Sequence, residues 1–312
     1  MTRRIESPAS TPDRRRFLGF SLGAIAGSGL IGSTLFQGSP LLGEEPAGLP
    51  GRVKFSLAAY SYRNLLGGNS PELSMTEFID DCARFGCDGT ELTSYYMPAD
   101  ADDAYFHGLR RHAFRLGLDV SGTAVGNDFG FPPGDARDGQ IASVKTWVDR
   151  AVMMGAPVIR IFAGHRKPET TAEESHRLMV EAMQECCDYA GTRGIHLALE
   201  NHGGPTATPA GLLALANDVD SPWFGVNLDT GNFHGESIYD ELAEVAHLAI
   251  NVQVKVAVTP AGGSKQPADL GRVASILKDS GYRGYVVLEY EENENPREAC
   301  PRYLDELRAA FA

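Results

Sequence analysis

The chain has 312 residues, 43% of them hydrophobic and 22% charged, an ordinary globular composition with enough apolar material for one large core. Its net charge is −13, and residues 1–43 carry +3, which leaves −16 on the remainder and excludes a partner held through a phosphate backbone. The five cysteines (Cys82, Cys87, Cys186, Cys187, Cys300) are odd in number and form no C-x-x-C, so no zinc ribbon or dense disulfide framework is implied; they are expected as buried small hydrophobes.

The N-terminus reads as an address. Arg14-Arg15-Arg16-Phe17-Leu18 precedes a Gly-rich, mildly apolar run from Gly19 to Phe36. A basic region followed by an apolar region makes a secretory signal, and the arginines before Phe-Leu resemble a twin-arginine signal. Residues 1–36 are therefore expected to direct export to the periplasm or otherwise out of the cytoplasm, and residues 37–52 to form a linker. The apolar run is rich in Gly and Ser, so no stable membrane span is expected after export.

From residue 53 to 312, strand-like runs alternate with helical ones. Strands are predicted over 53–60, 89–93, 119–124, 158–163, 195–201, 224–230, 251–256 and 285–291. Helices are predicted over 75–85, 101–116, 140–154, 171–193, from Thr208-Pro209, over 237–247 and 267–279, and from Pro296 to the end. Ser74 with Glu77 has the spacing of a capping box. Proline suits the first position of a helix, as at Pro209 and Pro296. Eight strand–helix pairs predict an α/β fold, the (β/α)8 TIM barrel, which needs about 250 residues. No G-x-G-x-x-G follows the first strand, which removes the main support for a dinucleotide fold.

Four of these strands end in polar residues of matching parity. Side chains alternate faces along a strand. Ile195, Leu197 and Leu199 therefore oppose Glu200, and Phe224, Val226 and Leu228 oppose Asp229. Likewise Val252, Val254 and Val256 oppose Gln253 and Lys255, and Val286, Leu288 and Tyr290 oppose Glu289. The C-terminal ends of parallel barrel strands are where catalytic residues gather. A single acid there reads equally as a solvated strand end or an ion pair. Four at matched depth point to a site.

Hard oxygen donors from Glu200, Asp229, Gln253 and Glu289 suit one divalent ion, Mn2+ first and Mg2+, Co2+ or Zn2+ after it, acting as a Lewis acid on a carbonyl. Glu200 and Glu289, on the fifth and eighth strands, could flank a substrate carbon as acid and base.

The segments ALENHGG (198–204), SPWFGVNLDTGNF (221–233), VQVK (252–255) and GYVVLEYE (284–291), with GCDGTEL (86–92) and APVIRIFAG (156–164), resemble the sugar phosphate isomerase/epimerase group of xylose-isomerase-like TIM barrels. The resemblance covers nearly all of 53–312. It implies one divalent metal held by Glu, Asp, His and Glu, at positions that are Glu200, Asp229, Gln253 and Glu289 here, so Gln253 replaces the family's His. In the ketose 3-epimerases of the group the first and last Glu exchange the proton at the epimerised carbon. Those enzymes carry a His where this chain has Asn232, and an Arg for which this chain, with Thr259-Pro260 in that region, has no match.

Further candidates lie on the same face. His202 could donate to a substrate oxygen, orient Glu200, or cap its loop. Lys255 could meet a carbonyl or phosphate, or pair with Glu289 or Asp229. Arg160 is expected to pair with an acid such as Glu91 or to touch the ligand, and Glu91 to be that partner or a substrate contact. His165, His234 and Asn232 are candidate substrate contacts on loops. Tyr60, Tyr62, Tyr95 and Tyr96 could stack on a sugar or pack the rim, while the acidic run Glu291–Glu294 reads mostly as solvated surface.

The leading expectation is a metal-dependent sugar isomerase or epimerase that abstracts a proton next to a carbonyl. Elimination on a 3-keto-glycoside by the same site is the alternative. A non-catalytic sugar-binding barrel is a reading of another class, and the several-zinc endonuclease branch is disfavoured by the eight histidines of the whole chain, its net acidity and the export signal. The expected partner is a small carbohydrate, not nucleic acid; a homo-oligomer is compatible with the sequence.

Overall fold

The computed structural model describes residues 53–312; the leader and linker readings fall outside the described residues. Ten strands run in chain order: β1 (Lys54–Ala58), β2 (Gly89–Thr93), β3 (Asp119–Ala124), β4 (Val158–Ile161), β5 (His196–Glu200), β6 (Phe224–Asp229), β7 (Ala249–Val254), β8 (Ala257–Val258), β9 (Gln266–Pro267) and β10 (Tyr285–Leu288). Eight of them close in the order β1-β10-β7-β6-β5-β4-β3-β2, every neighbouring pair parallel. The short β8 and β9 pair antiparallel in the loop that follows β7. The expected TIM barrel is the observed fold.

The helices are α1 (Arg63–Leu66), α2 (Met75–Arg84), α3 (Asp103–Arg115), α4 (Asp135–Met154), α5 (Ala172–Gly191), α6 (Pro209–Asp218), α7 (Ile238–Val245), α8 (Leu270–Asp279) and α9 (Pro296–Phe311). The expected capping box forms: Ser74 Oγ accepts from Glu77 N, and Glu77 Oε2 accepts from Ser74 N at 2.8 Å. Thr208 caps α6 with Pro209 at its first position. α4 starts at Asp135, earlier than the predicted 140, because Gly134 ends the preceding loop and Asp135 and Asp138 favour a helix N-terminus. α8 starts later than the predicted 267. Gln266–Pro267 are drawn into the β8–β9 pair, and Asp269 caps the helix by accepting from Arg272 N at 2.9 Å.

The outward faces of the strands carry the hydrophobic core. Leu57, Ile159, Ile161, Leu197, Leu199, Val226, Leu228, Val252, Val254, Val286 and Leu288 are fully buried under the helices, each worth roughly 1.5–3 kcal/mol relative to exposure. The five cysteines are free and buried, as expected, and burial pushes the Cys186 and Cys187 thiols up to about 12. Among the described residues no helix is long and apolar enough to cross a membrane.

One buried charge ties the first full helix to the last. Asp81 of α2 is wholly buried. It accepts from Tyr62 Oη at 3.2 Å, pairs with Arg297 of α9 at 2.8 Å, and is also held by Arg84. Tyr62 is therefore a core residue and not part of a sugar-stacking rim. Asp81→Ala should cost about 1–3 kcal/mol, since it leaves the buried Tyr62 Oη without its partner, while Arg84 and Arg297 are partly exposed and stay solvated. Urea unfolding would measure this, and a loss below about 0.5 kcal/mol, the range of ordinary surface substitutions, would contradict it.

Candidate active site

Barrel closure brings the inward side chains of β2, β5, β6, β7 and β10 to one mouth. The deeper layer is a network of amides around one acid. Asn251 Nδ2 donates to Glu91 Oε2 and to Asn227 Oδ1, both at 2.8 Å. Asn227 Nδ2 donates to Gln253 Oε1 at 2.6 Å. Gln253 Nε2 donates to Glu91 Oε1 at 2.6 Å and to Glu289 Oε1 at 3.4 Å. All four of these side chains are buried, and each amide finds its partner inside the layer, as buried polar groups must. Asn227 and Asn251 were not among the sequence candidates. Their signal was parity, since both point inward on the strands that carry Asp229 and Gln253.

Above this layer sit the charges. Glu200 Oε2 lies 2.8 Å from Arg160 Nε, while its Oε1 accepts from Asn232 Nδ2 at 2.9 Å. Lys255 Nζ lies 3.2 Å from Asp229 Oδ2, 3.3 Å from Glu289 Oε2 and 3.1 Å from Glu291 Oε2. It also donates to Asn232 Oδ1 at 3.3 Å, so Asn232 bridges Lys255 and Glu200. Two expectations are corrected. Arg160 pairs with Glu200 and not with Glu91, because β4 adjoins β5 while Glu91 lies two strands away. Glu291 is partly buried and not open surface; the chain turns inward after β10 and delivers it to Lys255.

The backbone around these groups is fixed. Asn201, just beyond Glu200 and not singled out from sequence, clamps Asp229 through both its amide and its carbonyl. Asp229 Oδ1 accepts from Gly231 N at 2.8 Å. Arg63 donates to the carbonyls of Tyr290 and Glu291, holding the segment that presents Glu289.

Burial dominates the electrostatics. It pushes Glu289 up to about 7, against the pull of Lys255, and Glu91 up to about 7, against the hydrogen bonds from Asn251 and Gln253. Burial likewise raises Glu200, with Arg160 opposing, and Asp229, with Lys255 opposing. For Lys255 burial alone would lower the pKa, but Asp229, Glu289 and Glu291 outweigh it and hold the ammonium charged.

A divalent ion needs several oxygen lone pairs converging on one point. As arranged here, the expected ligands do not offer them. The Gln253 carbonyl oxygen faces Asn227, and its NH2 faces the two glutamates. Glu200 is committed to Arg160 and Asn232, and Asp229 and Glu289 share Lys255. Among the described residues no three His, Cys, Asp or Glu side chains are placed to hold a metal.

The remaining candidates form the rim. His202 is exposed and packs on Phe162, ring centroids 4.5 Å apart, while its backbone N–H is bound by Thr206. Phe162 also lies under the Arg160 guanidinium at 4.0 Å, and Tyr95 Oη accepts from that guanidinium at 3.2 Å. Tyr60 packs edge-on against Tyr95. Tyr60, Tyr95, Phe162 and His202 thus give the mouth an aromatic border. His165 is exposed on the loop after β4, which Asp128 pins through the His165 backbone N–H and through Lys167. His234 is exposed and its Nδ1 bonds the Thr259 carbonyl at 3.0 Å. Neither histidine joins the inner cluster.

Arg160→Leu should lower stability by about 3–5 kcal/mol, because it leaves Glu200 buried without its cation. Adding Glu200→Leu should recover part of that loss, with a coupling of at least about 1 kcal/mol in urea unfolding. Strict additivity would mean the pair does not form.

The family model of the xylose isomerase-like TIM barrel matches residues 79–309. No curated protein sequence matches the chain. Among solved structures, D-psicose 3-epimerase with D-tagatose from Clostridium cellulolyticum H10 superposes with a TM-score of 0.68 at 17% identity, covering 83% of this chain and 99% of that one. L-ribulose 3-epimerase gives 0.67 at 15% identity, covering 83% and 95%. D-allulose 3-epimerase from Methylomonas sp. gives 0.67 at 17% identity, covering 84% and 99%. These likenesses establish the shared barrel. With the family match over most of the barrel, the chain belongs to the xylose isomerase-like TIM barrel family.

Proposed function

We propose that this protein is a sugar isomerase or epimerase that moves a proton beside a carbonyl, with Glu200 and Glu289 as the acid–base pair. One observation carries the reading. A buried ammonium, Lys255 Nζ, stands 3.3 Å from Glu289 and is joined through Asn232 to Glu200, which places a positive charge between two buried carboxylates. The similarity of the barrel to sugar 3-epimerases supports it.

The chemistry follows from these groups. One glutamate takes the proton from the carbon next to the substrate carbonyl. The electrons of that C–H bond form a carbon–carbon double bond, and the carbonyl π electrons move onto oxygen. A cation aimed at that oxygen stabilises the developing charge. The second glutamate returns a proton, to the opposite face for epimerisation or through the neighbouring carbon and oxygen for isomerisation. A base near neutrality serves best, and burial sets Glu289 there.

The substrate class is a neutral keto-sugar. The Lys and Arg side chains on the described loops and strand ends of this face are each engaged: Arg63 by carbonyls, Arg160 by Glu200, Arg166 by the Thr170 carbonyl, Lys167 by Asp128, Lys255 by three acids and Lys265 by Glu292. Four of these six cations are paired with acids, which leaves little charge to hold a phosphate, whereas the aromatic rim suits a sugar face. The same observation favours a second reading, elimination on an unphosphorylated 3-keto-glycoside. It also agrees with a protein exported by its twin-arginine-type leader, since free sugar phosphates are scarce outside the cytoplasm.

Incubation with ketohexoses and 3-keto-glycosides in D2O should show deuterium entering the carbon beside the carbonyl, followed by NMR. Glu289→Gln and Glu200→Gln should each slow uptake at least about 100-fold with the fold intact. Uptake at the wild-type rate in Glu289→Gln would sink the mechanism, and an unsaturated product would select elimination. Replacing Arg14, Arg15 and Arg16 with Lys should abolish export in cell fractionation; undiminished export would contradict the leader reading.

A further inference from the structure

The acids of this mouth face a charge problem that the chain itself solves. Asp229, Glu289 and Glu291 converge on one volume, and Asp229 is fully buried. Ionised carboxylates brought together this closely are stabilised by a cation among them. In a metal-dependent barrel that cation is the ion. Here the volume is filled by Lys255 Nζ, within 3.1–3.3 Å of one oxygen from each acid.

We propose that Lys255 takes the place of the divalent ion, so that its ammonium is the permanent cation of this centre and the protein works without a metal. Three further observations agree. Asp229 Oδ2 is buried and has no hydrogen bond, so its partner is the charge of Lys255 3.2 Å away. Gln253 stands among the acids with its NH2 turned to Glu91 and Glu289, a donor where a metal would require a lone pair. Its carbonyl oxygen is taken by Asn227, itself locked by Asn251, so turning Gln253 over would break the layer below. The lysine is fixed by its own backbone as well: its N–H donates to Thr230 Oγ1 at 3.0 Å, and the stem packs against Gly231, where an added Cβ would lie 2.7 Å from Lys255 Cδ. Gly231 thus makes room for the lysine stem beside Asp229.

The catalytic half of this proposal rests on the proton-transfer reading above; the structural half does not. On that reading the ammonium turns one of its three N–H groups from a carboxylate to the substrate carbonyl oxygen, where a Lewis acid otherwise would act.

The test is Mn2+ binding by the full-length exported protein, using calorimetry with MnCl2 and metal analysis of the protein as purified. The wild type should carry no stoichiometric metal, take up no Mn2+, and keep its rate of deuterium uptake in EDTA. Lys255→Met combined with Gln253→His should gain about one Mn2+ per chain. If that variant does not fold, Lys255→Met alone is titrated in its place, with weaker Mn2+ uptake expected because Asp229 and Glu289 lose their cation while Gln253 still offers no lone pair. Wild type that binds one Mn2+ would overturn the proposal. Variants that fold and still bind none would also overturn it, because Lys255 would then not be what fills the site. Deuterium uptake is read separately: metal-free protein without uptake leaves the lysine centre standing and removes the proposed activity, while Mn2+-dependent uptake does the reverse.

Discussion

The mouth of this barrel depends on one constraint, that carboxylates gathered out of water must be balanced by cations held among them. Glu200, Asp229 and Glu289 are buried at the ends of β5, at the end of β6 and just past β10, and Glu291 closes over them. Arg160 and Lys255 supply the compensation, the first as a planar group against Glu200 and the second as a point charge shared by three acids. The interactions around them serve these two. Tyr95, Phe162 and the Val125 carbonyl hold the guanidinium, Thr230 and Gly231 hold the lysine, and Arg63 holds the turn that presents Glu289.

The layer below holds Gln253 in one orientation. Asn227, Asn251 and Gln253 form a chain of amides that ends on Glu91 from two directions. The arrangement uses both ends of the Gln253 amide, its oxygen accepting from Asn227 and its NH2 donating to Glu91. Gln253 and Lys255 act at two depths of the same strand run. The amide finishes the floor, and the ammonium fills the space above it.

Much of this was legible in the chain. Strand parity alone placed Glu200, Asp229, Gln253, Lys255 and Glu289 on one face, and eight strand–helix alternations named the barrel. The pairing of those residues was not legible. Arg160 was expected against Glu91, yet register sets Arg160 beside Ala198, two residues below Glu200 on the same inward face, while β3 separates it from β2. Glu291 looked like the start of a solvated acidic run because the return of the chain over the mouth is a tertiary event, fixed by Arg63 from the other side of the barrel closure. Tyr62 looked like rim and is core, since a buried Asp81 on α2 claims its hydroxyl. In each case composition and period specified the face, and only closure specified the partner.

The account turns on what sits between Asp229 and Glu289. The most direct view is a crystal structure from crystals grown with MnCl2, with anomalous scattering recorded at the manganese edge. The account predicts side-chain density for Lys255 reaching Asp229, Glu289 and Glu291, and no anomalous peak among them. A manganese peak bound by Glu200, Asp229 and Glu289, with Lys255 swung away, would contradict it.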